Sequence, residues 1–135
     1  MKKSISIRNA PRPLAPYSQA ILMDNTLYIS GQIGIDPFTG LFAEGGPGDQ
    51  VRQIMKNILA ILTEAGMGFS DIVKVSAFLS DIKYYDDFNK VYATYFDQDP
   101  PAREAIAVKG LPKNADVEIS CIAVRPAEKE TLSMH

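Results

Sequence analysis

Two hydrophobic periods alternate along the chain, and their order predicts its elements. Ala20 to Met23 and Leu27 to Ser30 are apolar, β-prone runs separated by Asp24-Asn25, which tolerate positive φ, so together they predict a hairpin. Ahead of them, Ser4 to Ile7 alternates like a short edge strand, and Asn9 to Pro16 is a loop whose prolines lack amide donors. Past Gly31 the segments Asp36-Pro37-Phe38-Thr39-Gly40 and Gly45-Gly46-Pro47-Gly48 are too rich in turn residues for regular structure. Asp49 offers a helix N-cap. Val51, Ile54, Met55, Ile58, Leu59, Leu62 and Ala65 then recur at helical spacing, and Gly66 supplies the stop.

Val73, Val75, Ala77 and Leu79 alternate with Lys74, Ser76, Phe78 and Ser80 as a strand half covered by that helix. A second helix carries the stripe Tyr85, Phe88, Val91, Tyr92, Tyr95 and Phe96 and ends at Pro100-Pro101. Ala102 to Val108 and Val117 to Arg125 read as the last two strands, joined by Leu111 to Asp116. The order β-β-β-α-β-α-β-β predicts an α+β fold, a mixed sheet with two helices on one face. The last strand is apolar on both sides, with Ile122 and Val124 opposite Val117, Ile119, Cys121 and Ala123. Water covers such a second face poorly, so a homo-oligomer is expected to pack these faces together. At 135 residues the chain is expected to be a single domain, 1–135, with a core over about 4–125 and a tail over 126–135.

Charge narrows the partners. The net charge is −2, and Lys2, Lys3, Arg8 and Arg12 contribute +4, so removing them leaves −6 on the remainder, a poor surface for nucleic acid. No apolar run approaches the roughly 20 residues of a membrane span, and no apolar segment follows the basic start as a secretory signal requires. A single cysteine, Cys121, cannot form an internal disulfide, so a cytoplasmic setting is expected, with a mitochondrial address as the weaker alternative.

The inventory also removes chemistries. His135 is the only histidine and stands at the last position, which excludes Ser-His-Asp and Cys-His catalysis. One histidine and one cysteine cannot build a zinc site of the usual N/S type, and Gly45 to Gly48 lacks the Gly-Lys-Ser/Thr ending of a phosphate loop. A few polar residues remain where a core strand or loop has no need of them. Arg103 lies among small apolar residues and requires a partner, either a structural ion pair, for instance with Glu118, or a substrate carboxylate held by its planar fork. Glu118, between Val117 and Ile119, is either a partly desolvated carboxylate able to deprotonate water or an outward-facing strand residue. Tyr17 ends the proline loop and either presents its hydroxyl to a pocket or is an ordinary surface tyrosine. Ser30 and Gly31 end a strand, where the backbone either turns or exposes amides to an anion.

Pro16-Tyr17-Ser18-Gln19, Ser30-Gly31-Gln32-Ile33, Pro101-Ala102-Arg103, and Leu111-Pro112-Lys113 with Val117-Glu118-Ile119 resemble the RidA family, also called YjgF/YER057c/UK114. The similarity runs from about Ile7 to Arg125 in the family's order and spacing. It implies a chorismate-mutase-like fold assembled as a homotrimer with sites between subunits. It further implies hydrolytic deamination, without cofactor or metal, of 2-aminoacrylate/2-iminopropanoate and 2-iminobutanoate to 2-keto acids and ammonium. The resemblance gives Arg103 the substrate carboxylate and Glu118 the attacking water, with Tyr17, Ser30, Gly31 and Asn89 lining the same pocket. Two residues depart from the pattern. Ala105 stands where many deaminating members have cysteine, and Glu104 where the residue after the arginine is usually small. Strand alternation points Glu104 away from Arg103, unless a bulge intervenes. These departures favour the alternative function, a regulatory trimer that binds small carboxylates without useful turnover.

Overall fold

Asp24 adopts a φ of 52°, and the chain folds back there so that Ala20–Met23 (β2) pairs antiparallel with Thr26–Ile33 (β3). The computed structural model describes residues 1–126; the rest of the expected tail, His135 included, lies outside the described residues. Lys2–Ile5 (β1) pairs with β2, two residues nearer the start than the alternation at Ser4 to Ile7 predicts. Pro47–Glu64 (α1), Ile72–Leu79 (β4), Tyr85–Tyr92 (α2), Ala102–Ala107 (β5) and Val117–Val124 (β6) follow, in the predicted order. The six strands form one mixed sheet in the order β1-β2-β3-β6-β4-β5, with β4 and β5 parallel across the α2 crossover and every other neighbouring pair antiparallel.

Both helices cover one face, as the pattern predicts. Leu27, Ile29, Val75, Ala77, Leu79, Val117, Ile119, Cys121 and Ala123 point into them and are buried. From α1 come Val51, Ile54, Met55, Ile58, Ile61 and Leu62, each at most 1% exposed. Each such burial contributes roughly 1.5–3 kcal/mol, enough to make this face the chief source of stability. Leu59, placed on the buried stripe by spacing alone, is 40% exposed, and Ile61 takes its place. The helix starts earlier than Asp49 predicts, with Gly46 as N-cap and Pro47 in the first turn, where its missing amide costs nothing. Asp49 instead reaches back, its carboxylate accepting from the Gly46 amide at 3.1 Å. Gly66 does supply the stop, at a φ of 73°.

Helix α2 is shorter than its aromatic stripe. It ends at Tyr92 and continues as a 3-10 turn over Ala93–Tyr95, where the Thr94 hydroxyl donates to the Val91 carbonyl at 2.7 Å. Tyr95 and Phe96 complete the stripe by packing edge-on against Phe69, at 5.4 and 6.2 Å between ring centroids. Among the described residues no helix covers the opposite sheet face. It presents Met23, Tyr28, Ile106 and Val124, all exposed, and half-buried Phe78 and Ile122. Among the described residues no helix is long and apolar enough to cross a membrane.

Candidate active site

Strand alternation decides which candidates meet. Arg103 pairs in parallel register with Val75, so it projects to the helix side, whereas Glu118 pairs with Phe78 and projects to the uncovered side. The two lie on opposite faces of one sheet. The ion pair with Glu118 therefore does not form, and the candidates separate into two groups.

The first group surrounds Arg103. Its Nη1 donates to Asn89 Oδ1 at 2.7 Å and its Nη2 to the Tyr85 hydroxyl at 3.2 Å. The guanidinium carbon lies 4.9 Å from the ring centroid of Tyr92, 5.2 Å from Phe88 and 5.9 Å from Tyr85, within cation–π range of all three. Helix α2 supplies all four contacts because positions 85, 88, 89 and 92 fall on one helical face. Among the described residues the ion pairs are Arg52 with Asp49, Lys74 with Glu104 and Lys83 with Asp81, so Arg103 is oriented there by neutral groups and its charge is not paired with a carboxylate. Glu104 points to the other face, as alternation predicts, held by Lys74 at 3.0 Å and by the Ser76 hydroxyl; those bonds lower its pKa, the one to Ser76 foremost. It does not quench Arg103. Burial pushes the Tyr92 hydroxyl up to about 12 against the opposing pull of Arg103, so this ring stays neutral beneath the cation.

The second group surrounds Glu118. Tyr17, Gly31 and Glu118 line one cleft of about 50 Å³ with Pro11 to Leu14 and Pro112. Burial raises the Glu118 pKa, the condition a carboxylate needs to hold and release a proton nearer neutrality. Gly31 lies against Glu118, so a Cβ there would stand 2.5 Å from Oε2 and force the carboxylate to swing from its present position. The strand does not end at Ser30 or turn at Gly31 as expected. It runs on to Ile33 through a bulge between Ile29 and Gln32, which absorbs both residues and bends β3 around the carboxylate. Ser30 commits its hydroxyl proton to the Ser18 carbonyl at 2.6 Å, so it fixes the loop that carries Tyr17.

Sequence reasoning missed two contributors. Gln19, 2% exposed, accepts from the Ile7 amide at 2.7 Å and donates to the carbonyls of Ile7, Ala10 and Pro11, tying the proline loop over the Glu118 cleft. A buried glutamine able to satisfy several backbone groups is a local signal that the apolar pattern hides. The helical period places Tyr85 only in an apolar stripe, yet its hydroxyl reaches Arg103. A larger groove of about 800 Å³, between the Ile7 to Asn9 segment and α1, holds none of the expected site residues.

Residues 7–125, which include both groups, match the profile of the family described as Endoribonuclease L-PSP. The chain belongs to this family, the RidA or YjgF family. A RutC family protein of Pyrococcus horikoshii is 47% identical over 125 residues, covering 93% of this chain and 99% of that one. The 2-iminobutanoate/2-iminopropanoate deaminase of Rattus norvegicus is 43% identical over 125 residues, covering 93% and 91%. Among solved structures of the family, that of E. coli TdcF with bound serine superposes with a TM-score of 0.87 at 35% identity, covering 92% of this chain and 99% of that one.

Proposed function

We propose that the chain is a hydrolytic deaminase of small 2-imino acids and their enamine tautomers, 2-aminoacrylate/2-iminopropanoate and 2-iminobutanoate, working as a homotrimer without metal or cofactor. The observation that carries this reading is Arg103, a cation oriented by Asn89 and Tyr85 with, among the described residues, no carboxylate paired to it. Such a fork suits a substrate carboxylate in two-point contact. The named function of relatives 43% identical or so over most of the chain supports the same reading, and a relative holding serine supports a pocket for a small carboxylate-bearing molecule.

The chemistry asks little of the protein. A protonated imine carbon is already electrophilic, so positioning and a directed water suffice. With the carboxylate on Arg103, Glu118 takes a proton as water adds to the C=N carbon. Glu118 then returns that proton to the carbinolamine nitrogen, the C–N bond breaks as the hydroxyl becomes the carbonyl and gives up its proton to the departing ammonia, so that the iminium and one water become a 2-keto acid and one ammonium. Tyr17, Ser30, Gly31 and Asn89 shape this site. A cleft of about 50 Å³ has space for little more than one water, whose share of the liquid is about 30 Å³, so the Glu118 group is half a site. The other half is the Arg103 group of a neighbouring copy, brought there when uncovered sheet faces pack together.

Ammonia release from 2-aminoacrylate, generated in place by a pyridoxal-phosphate dehydratase, tests the reading. Release should rise above the spontaneous rate in proportion to the protein added, and Arg103→Lys, which keeps the charge but loses the fork, should lower catalytic efficiency about tenfold or more. The regulatory reading rests on Ala105 alone, since Glu104 is turned away. Keto-acid binding with no acceleration of ammonia release would favour it.

A further inference from the structure

Two protons of the Arg103 guanidinium are already engaged, and the phenol that accepts one of them still has a proton of its own to give. Nη1 is held by the amide oxygen of Asn89 and Nη2 by the Tyr85 hydroxyl, which among the described residues leaves three of the five N–H groups without a partner. A phenol that accepts a hydrogen bond keeps its O–H, and among the described residues no group accepts the one from Tyr85. The rings around the guanidinium differ in depth. Phe88 is 0% and Tyr92 7% exposed, and they form the floor, whereas half-buried Tyr85, the first residue of α2 and the ring most distant from Arg103 Cζ, stands at the rim.

We propose that Tyr85 is a specificity-determining residue of the carboxylate subsite, its hydroxyl held by Arg103 Nη2 and donating its own proton to a carboxylate oxygen of the bound 2-imino or 2-keto acid. The proposal rests on the deaminase reading in taking Arg103 as the carboxylate site. An anion on the free edge of the fork then meets an array of donors from two residues, all fixed before it arrives. A carboxamide presents its own N–H2 to the same donors and leaves at least one bond unmade, so Tyr85 sharpens the choice of free acid over amide. Phenylalanine at this position retains the ring and its stacking and loses only the O–H, which isolates the contribution.

The test compares the full-length protein with its Tyr85→Phe variant, using 2-oxobutanoate and 2-oxobutanamide as binding probes and 2-aminoacrylate as substrate. One lost hydrogen bond to a charged group should raise Kd for 2-oxobutanoate and KM about tenfold, leave kcat within about twofold, and reduce the acid-over-amide preference by a similar factor. Unchanged Kd and KM overturn the proposal. A fall in kcat with the acid-over-amide preference intact overturns it too, because that pattern marks a group that only holds Arg103 in place. A crystal of the parental protein soaked with 2-oxobutanoate gives an independent reading. The Tyr85 oxygen should lie within about 3.2 Å of a carboxylate oxygen, and a separation beyond 3.5 Å rejects the contact whatever the kinetics. If the parental protein binds the keto acid and releases no ammonia, the deaminase reading fails while the Tyr85 contact is still decided by Kd and the soak. If it binds no keto acid, both fall.

Discussion

The proposed mechanism asks Glu118 to be buried enough to be basic and charged enough to react. Burial raises its pKa, so the folded chain binds that proton more tightly than the unfolded chain does, and ionising it costs stability. That cost is absent below the ordinary carboxylate value and complete above the raised one. Glu118→Gln keeps the shape and removes the charge. Its turnover should fall about a hundredfold, the lower end for loss of a general base, while keto-acid affinity persists or rises because a neighbouring like charge is gone. Thermal unfolding should show the other side of the exchange. At neutral pH the Glu118→Gln midpoint should exceed the parental one, and the gain should vanish once the medium is more acidic than the ordinary carboxylate value. A variant that turns over at the parental rate would make Glu118 a strand residue and leave Tyr17 or backbone carbonyls to direct the water.

The elements show where a linear pattern carries information and where it stops. The order of strands and helices is legible because each buries one face, which imposes period 2 on β4 and β6 and spacings of three and four on α1. From residue context alone Arg103 and Glu118 are legible only as misplaced polarity, a charge among apolar neighbours, and it is the family motifs that join Tyr17, Ser30, Gly31 and Asn89 to them. The separation of Arg103 from Glu118 follows from alternation once register is known, and register is a long-range property. The bulge in β3 is invisible locally, since what Gly31 faces is a carboxylate on another strand. The start of α1 departs from the pattern for a different cause. Gly45-Gly46-Pro47-Gly48 has the composition of a loop, yet Pro47 is preset for a first helical turn and Asp49 closes on the Gly46 amide. Asp49→Ala should therefore lower stability by about 1 kcal/mol in a denaturant titration, the size of a lost helix-start contact, with part of the effect from its exposed pair with Arg52. Equal midpoints would mean the start is held by packing alone.

At the scale of the whole molecule, one sheet cannot bring together two residues that leave it on opposite faces. Arg103 sits on edge strand β5 toward the helices, and Glu118 sits on central strand β6 toward the uncovered side, where Tyr28, Ile106 and Val124 are exposed. Packing that side against another copy buries the apolar residues and can bring the β5 edge of one chain to the Glu118 cleft of the next. Sedimentation should accordingly give about three times the chain mass, and a monomer stable to dilution would remove the basis for a shared site. Co-expression provides the sharper test. If each site takes Arg103 from one chain and Glu118 from its neighbour, Arg103→Lys and Glu118→Gln chains mixed at random should place both native residues together in roughly one site in four. Ammonia release from the mixed trimers should then recover toward roughly a quarter of the parental rate, above the sum of the two variants assayed separately. Were both residues drawn from the same chain, every site would lack one of them. Mixing would then yield only the average of the variants, and the shared-site geometry would be rejected without affecting the roles of Arg103 and Glu118.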